Sequence, residues 1–183
     1  VWCCLTHTKG TNHTMKKIHV SPINRKVRDD EKLFVEECDR KYNEKLVAIA
    51  DSIEEHQKEK PILLLAGPSG AGKTTTALKI EEILDGRGIH THTISMDDYF
   101  LPSDSFTAVI GEDGKPDYES PDRIDRKLLY EHMEKINSGE EVVLPKFEFS
   151  EQCRRDGERL RRNKNDIVVF EGIHCLLYTS PSP

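Results

Sequence analysis

The sequence predicts an α/β fold in which a parallel sheet is covered by helices on both faces and is preceded by a long N-terminal helix. Short apolar runs at residues 62–66 and 167–170 have the length of buried strands, and a further strand is predicted at residues 90–95. Segments with helical spacing alternate with these runs, and such alternation is typical of a parallel sheet. The chain of 183 residues is long enough for one core of this kind and short for two.

The N-terminal part is predicted to be an irregular extension followed by one helix. Residues 1–28 have no sustained periodicity and are expected to be disordered or irregular. Met15 is an alternative start, in which case residues 1–14 are not native. Over residues 29–58, apolar side chains recur every three or four positions and predict a helix that packs on the domain behind it. These side chains are Phe34, Cys38, Tyr42, Leu46, Ile49 and Ile53.

Composition and charge exclude several classes of protein. Hydrophobic residues make up 36% of the chain and charged residues 33%, and no apolar run approaches the length of a membrane span, so we expect no membrane partner. The N-terminus lacks the apolar core of a secretory signal, and the five cysteines contain no CxxC pair, so a cytoplasmic location is expected. The net charge of -6 argues against a nucleic-acid partner. The basic run at residues 153–164 is interpreted as a solvated hairpin.

A glycine-rich loop follows the first apolar run. GPSGAGKTT, at residues 67–75, satisfies G-x-x-x-x-G-K-[ST] between a predicted strand and a predicted helix, the context that this motif requires. Such a loop wraps its backbone around phosphate oxygens, while Lys73 adds positive charge and the Thr74 hydroxyl can ligate magnesium. We therefore expect a nucleotide-binding fold of the P-loop NTPase type. Its phosphate contacts are assigned to Gly67, Pro68, Ser69, Gly70, Ala71, Gly72, Lys73, Thr74 and Thr75.

Acidic residues follow the other two predicted strands. SMDDYF, at residues 95–100, places Asp97 and Asp98 at a carboxyl end, where open α/β sheets bind their ligands. Both are candidates for the base that accepts a hydroxyl proton in phosphoryl transfer. Adjacent carboxylates cannot both point into one site from an extended backbone, so one of them is expected to be structural. Glu171, at the end of the third strand, can hold magnesium directly or through water, opposite Thr74.

Between the second and third strands the sequence predicts a helix and an extended segment. Ser120-Pro121-Asp122 has the composition of a helix start, because Ser can cap the helix and Pro suits its first turn. Asn137-Ser138-Gly139 is expected to end this helix. Residues 142–149 are predicted to be extended, and residues 101–118 to form a loop or hairpin centred on GEDG.

The joint pattern resembles one family of kinases. GPSGAGKTT, SMDDYF, DYESPDRID, LPKFEF and VVFEGIH occur in the order and approximate spacing of the uridine kinase-like and phosphoribulokinase-like branch of P-loop kinases, over about residues 60–174. The resemblance implies ATP as phosphoryl donor, Mg²⁺ as cofactor and a small-molecule hydroxyl as acceptor. It implies that Asp97 is the general base, with Lys73 on the phosphates, and that Thr74, Asp97 and Glu171 surround the metal. The implied acceptor pocket contains Asp98, Tyr99, Glu119, Phe147 and Phe149.

Departures from the family pattern leave the acceptor open. Nucleoside-specific uridine kinases place a Tyr and a His where this chain has Phe147 and Gln152, and a shorter Asp at the position of Glu119. Without these polar partners, recognition of a pyrimidine ring is weakened. The predicted function is ATP-dependent transfer of the γ-phosphoryl group to a hydroxyl of a nucleoside such as uridine or of a related sugar-like alcohol. A homo-oligomer is compatible with this reading.

A further departure lies at the C-terminal end. Family members continue past the EGIH segment into an arginine-bearing lid, whereas this chain ends nine residues after His174. Residues 60–175 are therefore expected to form an incomplete P-loop kinase domain, and residues 176–183 a non-native tail. Two alternative functions follow, a nucleotide-binding regulatory module and an inactive kinase fragment that lacks the lid. A GTPase switch is disfavoured because the sequence contains no N-K-x-D segment.

Overall fold

The computed structural model describes residues 2–3, 19–105, 110, 114, 117 and 120–175. Its strands are β1 (Trp2–Cys3), β2 (Ile62–Ala66), β3 (Thr91–Ser95), β4 (Glu141–Glu148), β5 (Cys153–Arg161) and β6 (Ile167–Gly172). Its α-helices are α1 (Val20–Asp29), α2 (Glu31–His56), α3 (Lys73–Asp85) and α4 (Arg126–Ser138). Short 3-10 helices span Met96–Tyr99 and Pro121–Arg123. The expectations for residues 4–18, Glu119 and the tail at 176–183 lie outside the described residues.

The main sheet is parallel, as predicted, with strand order β1-β2-β6-β3. Ala66 at the end of β2 lies opposite Gly172 of β6, and Ser95 at the end of β3 lies opposite Glu171. The carboxyl ends of these three strands therefore meet at one edge. Each of the loops that leave this edge carries one of the motifs singled out in the sequence.

Helices cover both faces of the sheet, which confirms the predicted architecture. Successive strand residues point to opposite faces, so β2 and β6 each contribute to two cores and appear as continuous apolar runs. The first core lies between the sheet and the helices α2 and α3. It contains Leu46, Ala50, Ile53, Leu63, Leu65, Ala77, Ile80, Leu84, Ile167 and Val169. The second core lies between α4 and the opposite face of the sheet. It includes Ile62, Leu64, Leu129, Met133, Ile136, Val168 and Phe170.

The N-terminal segment is more regular than the sequence predicted. Residues 20–29 form α1, so the expectation of a disordered or irregular segment was wrong there, and the helix predicted over residues 29–58 is α2. The Asp30 side chain separates the two helices, because it caps α2 by accepting a hydrogen bond from the Leu33 amide at 2.9 Å. None of the ten residues of α1, all of them described, is buried. Val20, Ile23 and Val27 recur at helical spacing along α1, but all three side chains stay exposed.

α4 begins later than predicted. The Ser120 hydroxyl does accept a hydrogen bond from the Asp122 amide, at 3.3 Å, but it caps only the short 3-10 helix. Ile124 then pairs with Phe100 in an antiparallel bridge, which keeps the chain extended at that point. Asp125 caps α4 through the Leu128 amide at 3.1 Å, and Gly139 ends the helix as expected.

The Arg-rich segment forms a hairpin with the predicted extended segment. β4 and β5 pair antiparallel as a separate two-stranded sheet, and most of β5 is exposed. Among the described helices, none combines the length and the apolar character needed to cross a membrane.

Candidate active site

The phosphate loop joins β2 to α3. Gly70 and Gly72 have φ angles of 73° and 81°, left-handed values that glycine adopts without a steric penalty. The Lys73 side chain folds back over the loop, where its Nζ donates a hydrogen bond to the Pro68 carbonyl at 3.1 Å. A Cβ at position 67 would lie 3.2 Å from Cγ of this lysine, so glycine leaves room for it. Ser69, Gly70, Lys73 and Thr74 line a pocket of about 530 Å³.

Two acids border the same pocket from neighbouring strands. Glu171 lies near the end of β6, and Asp97 lies on the 3-10 helix that directly follows β3. Burial raises the pKa of the Asp97 carboxyl, and the charge of Asp98 adds to this rise, whereas Lys73 opposes it. Burial also raises the pKa of Glu171, whose carboxylate accepts a hydrogen bond from the side chain of Thr74. The sheet therefore brings Lys73, Thr74, Asp97 and Glu171 together, as the sequence predicted.

The residues after Asp97 face away from the pocket, which corrects two assignments. Asp98 Oδ1 accepts a hydrogen bond from the Phe147 amide at 3.1 Å and lies 3.3 Å from Lys146 Nζ, so this side chain fastens β4 to the 3-10 helix. Tyr99 is fully buried, and its hydroxyl is hydrogen-bonded to His132 Nδ1 at 3.1 Å. Successive side chains of a 3-10 helix point about 120° apart, so only one of the three reaches the site. Of the two candidate bases, the structure places Asp97 in the pocket.

Of the two aromatic residues predicted to line the acceptor site, only one borders the pocket. Phe149 lies on the pocket wall, whereas Phe147 is only 2% exposed and does not border the pocket. Their ring centres are 5.1 Å apart, and Phe100 contacts both rings edge to face. β4 ends at Glu148, so Phe149 leaves the strand and does not follow its alternation. The assignment of Phe147 to direct acceptor contact is therefore corrected to a supporting position.

The sequence indicated no role for two residues that line the pocket, Arg123 and His174. Arg123 is 5% exposed, and its guanidinium lies 4.7 Å from the ring centre of Phe100. His174 is also buried, and its Nε2 has no hydrogen-bond partner among the residues that the structure describes. Both belong to quoted motifs, DYESPDRID and VVFEGIH, so their presence was visible in the sequence. Their burial was not visible, because it depends on elements that pack over them.

The site residues suit a magnesium ion that is held largely by phosphate oxygens. Magnesium is typically bound by one or two carboxylates together with substrate phosphates. The carboxylate of Glu171, the carboxylate of Asp97 and the hydroxyl of Thr74 offer a donor set of this kind. Within the described part of the chain, no group of three or more His, Cys, Asp or Glu side chains is arranged to hold a metal without further ligands.

Comparison with known proteins identifies the family to which this site belongs. The model of the phosphoribulokinase / uridine kinase family matches residues 62–180. The chain belongs to this family. The uridine kinase of Halobacterium salinarum is 31% identical over 112 residues, which are 61% of this chain and 47% of that protein. The uridine kinase of Vibrio vulnificus (strain YJ016) is 31% identical over 121 residues, 66% of this chain and 55% of that protein.

The fold agrees with that of a solved structure. A structure described as a possible uridine kinase from Bacillus stearothermophilus has a TM-score of 0.55 to this chain, at 17% sequence identity. The match covers 72% of this chain and 71% of that one, and at this identity it shows the fold alone. The chain spans about half the length of the curated relatives that it matches.

Proposed function

We propose that this protein is an ATP-dependent kinase that transfers the γ-phosphoryl group to a hydroxyl of a small molecule. The acceptor is a nucleoside such as uridine or a related sugar-like alcohol. The observation that carries this proposal is the convergence of Lys73, Asp97 and Glu171 on one pocket at the carboxyl edge of the sheet. Family membership and the uridine kinases among the relatives support the same reaction class.

The phosphate loop is proposed to hold the β and γ phosphates of ATP. The exposed backbone at Ser69 and Gly70 and the amides at the start of α3 supply donors for phosphate oxygens. Lys73 already lies over the loop, where it contacts a carbonyl oxygen. Exchange of that neutral oxygen for a charged phosphate oxygen would strengthen the contact, because the ammonium would then also be attracted by a full negative charge.

Thr74, Glu171 and Asp97 are the residues that would hold Mg²⁺, directly or through water. Glu171 and Asp97 repel each other and lie in a partly buried site that disfavours their charged forms, so a cation there would relieve both costs. When bound, the ion would neutralise charge on the phosphate oxygens.

Asp97 is proposed to accept the proton of the attacking hydroxyl. A general base works best when its pKa lies near the working pH, and burial shifts the pKa of Asp97 in that direction. Phe149 would form part of the acceptor wall, while Glu119 remains a proposed hydrogen-bond partner for acceptor hydroxyls.

Replacement of Asp97 by Asn tests this proposal. We expect acceptor-dependent ADP release from Mg-ATP to slow by about a hundredfold to ten-thousandfold, because the variant cannot accept the proton. ATP affinity should change little. The wild-type protein is first screened with nucleosides, sugars and other small alcohols to find an acceptor. Asp104→Asn, an exposed acid outside the pocket, is the control, and undiminished turnover by Asp97→Asn would remove Asp97 from the role.

A further inference from the structure

Arg123 occupies an unusual place for an arginine, at the pocket wall and yet almost fully buried. It ends the 3-10 helix Pro121–Arg123, is 5% exposed and borders the same pocket as Asp97. Its guanidinium carbon lies 4.7 Å from the ring centre of Phe100 and 5.8 Å from that of Phe147. These contacts with aromatic faces hold the charged group in one place.

Gln152 fixes the same guanidinium from the β4–β5 turn. Its side-chain oxygen accepts a hydrogen bond from Arg123 Nη2 at 3.1 Å, and its Nε2 donates to the Phe149 carbonyl at 2.7 Å. Gln152 has a φ of 50°, which is uncommon for a residue other than glycine. Both ends of its amide are thus engaged inside the protein, and Gln152 acts as a positioning residue for Arg123.

The charge of Arg123 reaches the reaction centre. Burial raises the pKa of Asp97 overall, and the charge of Arg123 opposes this rise, as the charge of Lys73 does more strongly. Lys73 belongs to the phosphate loop, whereas Arg123, Phe149 and Gln152 come from the 3-10 helix and the hairpin. An arginine is always charged, and its planar fork matches the oxygens of a carboxylate or phosphate better than it matches a neutral ring.

We propose that Arg123 binds an oxyanion of the acceptor, either a carboxylate or a phosphate, so that the preferred acceptors are acidic sugar-like alcohols. This inference rests on the proposed kinase function and names its acceptor class. It also gives a reason for Gln152 at the pocket wall, because the amide is used to hold the arginine. A pyrimidine ring gains little from a site arranged in this way.

Direct binding tests the inference without turnover. Calorimetry in the absence of ATP compares D-ribose 5-phosphate and D-gluconate with uncharged D-ribose and uridine, on wild-type protein and on Arg123→Met. We expect both acids, or one of them, to bind wild type more tightly than the neutral compounds and to lose about tenfold to a hundredfold in affinity in the variant, as for loss of a charge-assisted hydrogen bond. The neutral compounds should be unaffected. The two acids report separately whether a phosphate or a carboxylate is preferred.

Two further variants keep the test decisive. Arg126→Met removes an exposed arginine that pairs with Asp122 nearby, and it should leave the affinity for acids unchanged. Gln152→Glu retains Arg123 but supplies a competing carboxylate, so it should weaken the binding of acids selectively even if Arg123→Met folds poorly. Binding of neither acid by wild type, or equal losses for charged and neutral compounds, would overturn the inference.

Kinetics distinguish this inference from the function on which it rests. With an acidic acceptor, Arg123→Met should raise KM much more than it lowers kcat. An equal fall of kcat on every acceptor would instead place Arg123 on the transferred phosphoryl group and overturn the inference. If acids bind through Arg123 but no acceptor is phosphorylated by wild type, the proposed kinase function fails while the binding site stands.

Discussion

Asp97 is the proposed general base, and the burial of its carboxyl affects the stability of the folded protein. Burial raises the pKa of its carboxyl above the value of 3.8 that it has in an unfolded chain. A carboxyl of this kind binds its proton more tightly in the folded state, so the folded state loses stability as pH rises from about 3.8 through the folded pKa. At neutral pH, therefore, the ionised side chain destabilises the fold that presents it.

We expect Asp97→Asn to melt at a higher temperature than wild type at pH 7. The difference should shrink as pH falls toward 3.8, because protonation of the wild-type carboxyl in the folded state removes the cost of burying its charge. Thermal melts between pH 4 and pH 7 measure this trend, with Asp104→Asn as the control. An increase in Tm that is the same at every pH would show that the charge of Asp97 does not cause it.

At the scale of elements, the distance between β6 and the 3-10 helix after β3 sets the spacing of the two acids. Gly172 makes this close approach feasible, since a Cβ on it would lie only 2.9 Å from Cβ of Met96. We expect Gly172→Ala to destabilise the protein by about 1–3 kcal/mol, as for overpacking of a core. Turnover should fall by about tenfold to a hundredfold because Asp97 and Glu171 are pushed apart.

Denaturant unfolding and initial rates of ADP release measure these two effects. Gly86→Ala is the matched control, because Gly86 has a right-handed helical backbone and its nearest neighbour would be a carbonyl oxygen at 3.4 Å. It should change stability by no more than about 0.5 kcal/mol. Wild-type stability and turnover in Gly172→Ala would show that the strand and the 3-10 helix can separate freely.

α2 is a second element whose role can be measured. Its residue Leu46 is 2% exposed in the core shared with α3, and the Tyr42 hydroxyl is hydrogen-bonded to Thr76 Oγ1 at 2.9 Å. We expect Leu46→Ala to lower the free energy of unfolding by about 2–5 kcal/mol, whereas Val47→Ala, on the exposed side of the helix, should change it by less than about 0.5 kcal/mol. Equal effects in chemical denaturation would mean that α2 does not belong to the folding unit.

At the scale of the whole molecule, ligand binding at the sheet edge should stabilise every element that meets there. A ligand at 100 times its Kd stabilises a protein by about 2.7 kcal/mol, which corresponds to roughly 5–10 °C in Tm for a chain of this size. We expect Mg-ATP to raise Tm by this amount and to slow limited proteolysis. Lys73→Ala should abolish both effects. Protection that persists in this variant would place the nucleotide away from the phosphate loop.

The sequence by itself determined the features that depend on neighbouring residues. The glycine loop, the strand before it and the acids at the carboxyl ends of two other strands are local patterns, and the alternation of strands and helices predicts the parallel sheet. These parts of the prediction agree with the structure because the residues of a motif such as GPSGAGKTT determine the backbone conformation of the loop. The motif also lies directly after a buried strand.

Only the tertiary structure decided which side chains face the pocket. A 3-10 turn selects Asp97 over Asp98 and Tyr99, and the end of β4 separates Phe149 from Phe147. The start of α4 and the helical nature of α1 likewise escaped prediction, the first because a bridge to Phe100 keeps Ile124 extended. Arg123 is the clearest case, since it packs against the ring of Phe100 and against a ring and an amide from a hairpin that lies far from it in sequence. Orientation and burial depend on contacts between distant segments, and a single sequence does not show such contacts.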